Sequence, residues 1–187
     1  MKILHFILAV AGLFCPVLPA EESEKDRIEV QWQPLKIAKS RFPRSVSMMN
    51  EVREDYATNL AALAVIQLRE RKGDKVAREL AMRMMSVALH LSPRNKMALV
   101  VNVQLGRGVV PQAPVVDREA KAFSVLMRTT AQVLEKQGGR ENIMVAGYLF
   151  QLATDLDPKN EDAIYLSELY RINHGEVDWG SLLLNGE

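Results

Sequence analysis

Acids at alternating positions in "DLDPKNEDA", from Asp155 to Ala163, are the first residues whose spacing suggests chemistry. A calcium loop needs acids at that spacing, a Gly in sixth place for the sharp turn and a final bidentate Glu. Here Asn160 stands sixth, the Glu is missing, and Pro158 in fourth place points to a helix cap instead. Beyond the first twenty residues the histidines are His90 and His174, neither with a second His, Cys or acid at metal-ligand spacing. Both read as solvated helix-end residues. The glycines of "GRGVV" and "QGGRE" lack a following Lys-Ser or Lys-Thr, so no phosphate loop is indicated. There is no Gly-x-Ser-x-Gly elbow. The expectation is a protein without catalysis, metal or cofactor.

Cysteine and charge narrow the class further. The first residues run Met1-Lys2, an apolar stretch from Ile3 to Phe14, then "CPVLPA". A basic start, about a dozen apolar residues and a closing small residue predict a secretory signal over 1–20, cleaved near Ala20. The run is shorter than the ~20 residues that span a bilayer, so no stable membrane anchor is expected. Cys15 falls inside the signal, which leaves a mature chain free of cysteine, exported to the periplasm or secreted. Removing the signal's one Lys from 24 basic residues leaves 23 against 23 acids. That balance disfavours nucleic acid as a partner.

The rest of the chain must then be read for architecture. Residues 21–49 form a flexible or extended arm, in which Pro34 and Pro43 forbid a long helix and Trp32 packs on the body. A short strand there would lack an evident second strand. From about Asn50 the pattern turns helical, with "NLAALAVIQLRE" and "VARELAMRMMSVALHL" rich in helix formers. Gly73-Asp74 and Gly138-Gly139 mark turns, and Asp117 offers a cap for a helix through "REAKAFSVLMRTTAQVLEKQ". Ser92-Pro93 and Asp157-Pro158 each read as a capping residue followed by Pro at the first helical position.

Shifting the chain by 65 residues superposes its two halves without a gap. Gly73 falls on Gly138, Ala81 on Ala146, Ala88 on Ala153, Leu91 on Leu156, Pro93 on Pro158 and Asn95 on Asn160. An internal match of this kind predicts a repeat architecture, here in copies 50–108 and 115–173. Ala81, Met85, Ala88, Pro93 and then Ala146, Phe150, Ala153, Pro158 carry the pattern by which the region 50–175 resembles the tetratricopeptide repeat. The first helices depart from that family: Ser167 and Glu168 stand where Leu and Gly would be expected.

The resemblance implies an all-α, right-handed helical-repeat array of about six helices behind an extended N-terminal arm. It also implies a protein or peptide partner held in a groove lined by first-helix residues. In the family's register these are Met97, Val100 and Gln104, then Asp162, Tyr165 and Leu169. The basic and Asn residues of the subclass that clamps acidic peptide tails are missing there. Residues 176–187, with Trp179 and Leu182 to Leu184, form a tail that caps the last helices or docks on another subunit, so self-association is the alternative function. The Met-rich "MRMM" at 82–85 reads as core rather than as an adaptable groove.

Overall fold

The computed structural model describes residues 28–37, 39–114 and 119–183. The expected signal, residues 21–27 of the arm, the Asp117 cap and the end of the tail lie outside them. Among the described residues the chain is all-helical: α1 (Asn50–Glu70), α2 (Lys75–Leu91), α3 (Lys96–Gly106), α4 (Ala120–Gln137), α5 (Arg140–Leu156), α6 (Glu161–His174) and α7 (Trp179–Leu183). The seventh helix, beyond the six expected, is a short turn of the tail.

Local chemistry explains the boundaries. Asp74 caps α2 by accepting from the Ala77 N–H at 2.7 Å. Asn95 caps α3 through Ala98 at 2.9 Å, and Asn160 caps α6 through Ala163 at 3.1 Å. The sequence expectation therefore needs correcting at both prolines. Ser92 and Asp157 end the preceding helices; they do not begin the next ones. Their backbones leave helical geometry, φ −139° and −136°, as the residue before a Pro is biased to do. Each carbonyl then accepts from the Asn three residues on, at 3.1 and 3.0 Å. Pro93 and Pro158 thus occupy the second place of a β-turn, where a fixed φ is favourable. The helices start three residues later, at Lys96 and Glu161.

Packing builds two three-helix groups, α1–α3 and α4–α6, joined through α2 and α5. Ala81, Ala88, Ala98, Ala146, Ala153 and Ala163 are fully buried, which lets the backbones approach closely. Ser124 of α4 reaches the Ala153 carbonyl of α5 at 2.7 Å. Met84 and Met85 are core residues. Between the groups, Tyr56 stacks against Phe123 with centroids 5.1 Å apart and bonds the Thr130 hydroxyl at 2.7 Å. Arg83 and Asp155 pair across the α2–α5 seam at 3.1 Å. Burial raises the Asp155 carboxyl above the ordinary aspartate value, and the Arg83 charge opposes that.

The arm does have a pairing partner, contrary to the sequence reading. Glu29 forms an isolated antiparallel bridge with Val109, through Val30 N–H to Gly108 O and Val110 N–H to Ile28 O, both 3.1 Å. No local pattern marks 108–110 as strand, because the pairing spans some eighty residues of sequence. Val30, Trp32, Leu35, Phe42, Val46 and Met48 are all buried against the helices.

Candidate functional site

Met97, Val100 and Gln104 recur along α3 at three- and four-residue spacing and so share one face. They line a groove of about 360 Å³ together with Val65, Val101 and the chain from Val109 to Gln112. Asp162, Tyr165 and Leu169 lie on α6, which packs on α4 and α5. The six expected residues therefore form two patches, each on the third helix of its group. On α6, Tyr165 is 65% exposed beside Ile164, whereas Leu169 is half-buried. Asp162 faces α4 and pairs with Arg128 at 3.2 Å. The Nε of Arg128 is buried with no hydrogen-bond partner among the described residues.

The two patches share a register. Leu99 and Val100 are exposed on α3, and Ile164 and Tyr165, their counterparts 65 residues on, are exposed on α6. Apolar side chains at such places leave a large part of their surface in water. Their exposure at the same positions in both groups follows from the shared turn and cap, which set the rotation of each third helix.

A second, polar cleft of about 520 Å³ lies where the arm crosses the start of α1 and the end of α2, with Arg44, Arg53, Glu54, His90 and Arg94 in its wall. Ser40 and His90 meet there, but not as a nucleophile and base. Ser40 Oγ lies 2.5 Å from the His90 backbone carbonyl and accepts from the Phe42 N–H. The imidazole instead holds the arm and the tail. Its Nδ1 accepts from the Arg41 N–H at 3.1 Å, which leaves the proton on Nε2, 3.4 Å from the Leu182 carbonyl. His90 is thus buried, not solvated as expected from its place at a helix end. Arm and tail cover it together. His174, in contrast, is exposed at the end of α6 as expected, where it lies 3.1 Å from Glu135 and packs on Tyr170.

Burial lowers the His90 pKa below the ordinary 6.5, and the nearby Arg41 charge adds to this against the Leu182 carbonyl. Below pH 6.5 the unfolded chain takes up a proton that the folded chain refuses. Stability is therefore full above that pH, falls as pH drops toward the folded pKa, and levels below it. Urea midpoints are expected to fall between pH 7.5 and 5.5 in the native chain and to fall less in His90→Gln. Parallel slopes in the two chains would count against this role.

Sequence reasoning missed the polar side chains that fasten the arm. Asn102 Oδ1 accepts from Trp32 Nε1 at 3.3 Å and from the Leu35 N–H at 3.0 Å, while its Nδ2 donates to the Leu35 carbonyl at 2.9 Å. Asn142 accepts from the Ser47 N–H at 2.8 Å. A lone Asn within the apolar run Leu99–Val103 was the available signal. The tail is also seated on its own chain. Trp179 packs on Tyr148 at 5.0 Å, bonds Gln151 at 3.0 Å and carries the Arg83 guanidinium over its ring, and Leu182 is buried.

No helix among the described residues is long and apolar enough to cross a membrane. Compared with protein-family models, curated proteins and solved structures, the chain matches none.

Proposed function

We propose that this chain is an exported protein–protein interaction module, a divergent tetratricopeptide-like array that binds a protein or peptide partner without catalysis. One observation carries the reading: the third helix of each group exposes an apolar pair at the same register, Leu99–Val100 and Ile164–Tyr165. Repeat scaffolds bind in this way, presenting side chains from equivalent helices along one surface. The groove beside Met97, Val100 and Gln104 gives the first patch depth, and the exposed Tyr165 gives the second an aromatic anchor. Balanced charge in the mature chain supports a protein partner over nucleic acid. Export rests on the apolar run before "CPVLPA". The alternative, assembly through the C-terminal tail, has less support because Trp179 and Leu182 are engaged in cis.

The double variant Gln104→Ala, Tyr165→Ala tests the reading. Partner capture from the native envelope should fall by roughly tenfold or more, as truncating one or two anchor residues does at other interfaces. Helical content and the urea midpoint should not change, because both side chains are exposed. Undiminished capture would remove the two patches from consideration.

A further inference from the structure

The arm from residue 28 to 37 is held as a peptide ligand would be held. Its backbone is paired at one end with Gly108 and Val110. At its middle one side chain, Asn102, satisfies both backbone groups of Leu35 and the Trp32 indole. Gly106 completes the seat: a Cβ there would lie 2.4 Å from the Pro34 ring, so the furrow is flat where the proline lies. Val30, Trp32 and Leu35 are buried in it. None of these contacts depends on the arm belonging to the same chain.

The rest of the arm is fixed differently. Residues 42–48 are tied to α1 by the Arg53 guanidinium, through the carbonyls of Phe42, Pro43, Val46 and Met48. The seated ligand-like part and this anchor are therefore separate attachments, and of the few residues between them Ser40 and Arg41 bond His90. Exchange of an element between identical chains needs just such an arrangement, and it re-forms the same contacts.

We propose that the furrow on α3 also takes the 28–37 segment of a second copy, so that chains associate by exchanging arms. This deepens the reading of the chain as a binding module by naming a second copy as a partner, at residues other than the α3 and α6 patches. In the native chain the tethered arm competes at an effective concentration on the order of millimolar, so exchange between copies is suppressed in dilute solution. Disabling one arm removes that competition.

Complementation between two full-length variants is the test. Trp32→Ala spoils the arm and leaves the furrow intact, whereas Gly106→Val spoils the furrow and leaves the arm intact. Each variant alone should be monomeric by light scattering, because all its copies share the same defective arm or the same defective furrow. Mixed at equal amounts with different tags, they should co-purify as a one-to-one complex. Leu35→Ala, which removes a buried arm side chain, with Asn102→Ala, which removes the furrow's polar clasp, forms a second pair in case either first variant fails to fold by circular dichroism. A mixture that stays monomeric in the pair that folds would overturn the proposal. So would equal association of the double variant Trp32→Ala, Gly106→Val with itself, which has neither arm nor furrow. Loss of the Gln104 and Tyr165 capture activity would leave this result untouched, so the two readings fail separately.

Discussion

Arg53→Met is expected to destabilise the protein by about 3 kcal/mol and to release residues 42–48 from the helices, because it strips the partner from several buried carbonyls at once. Arg53 is only 6% exposed. Nε donates to Met48 O at 3.3 Å, Nη1 to Phe42 O at 3.4 Å, and Nη2 to Pro43 O at 2.8 Å and Val46 O at 3.2 Å. Burial lowers its pKa from the usual arginine value, the direction expected of a cation moved out of water. Four carbonyl dipoles answer the charge, and the planar fork of Arg is what reaches them together. Met keeps the stem and its packing, so the loss measures the head group. Lys retains the charge but cannot span the same acceptors, and Arg53→Lys should fall between. Urea unfolding gives the magnitude, and hydrogen exchange at the Ser47 and Arg41 N–H groups reads the release. Native protection in Arg53→Met would show that the arm is held by its apolar side chains alone.

Gly147→Ala should destabilise by about 1–2 kcal/mol, against the roughly 1 kcal/mol that Ala normally gains over Gly inside a helix. The added Cβ would lie 2.4 Å from Tyr170 Cζ and 2.5 Å from its hydroxyl. Tyr170 is buried between Phe150 and His174, with centroids 6.1 and 4.9 Å away, so the ring can yield only by leaving those contacts. Burial also raises the Tyr170 pKa above 10.0. A displaced ring should therefore titrate closer to 10.0, which an ultraviolet titration of tyrosinate reads directly. The paired variant Gly147→Ala, Tyr170→Leu should recover part of the loss. If Gly147→Ala proves more stable than the native chain, α5 and α6 are not packed as closely as described.

Residues that act within one or two turns of chain were legible from sequence, and residues that act across the fold were not. Helix formers, Gly turns and the 65-residue match placed six of the helices, since propensity and turn chemistry are local. The prolines marked the right junctions, but the division of labour was misread: Ser92 and Asp157 could cap a helix by type, and only the backbone reveals that Asn95 and Asn160 do so. His90 looked solvated because nothing near it predicts that segments some fifty and ninety residues away will cover it. Asn102 is the same case, its partners lying 67 and 70 residues upstream. At the candidate site the sequence placed Met97, Val100 and Gln104 on one groove. Leu99 and Ile164 were overlooked, because several apolar residues in succession do not say which of them will face water.

The arm and the tail share one seat on α2. Arm and tail meet on one imidazole because α7 follows the second group and reaches back to the helix of the first. The second group is therefore tied to the first by its tail as well as by the α2–α5 contact, and a single side chain of α2 reads both attachments.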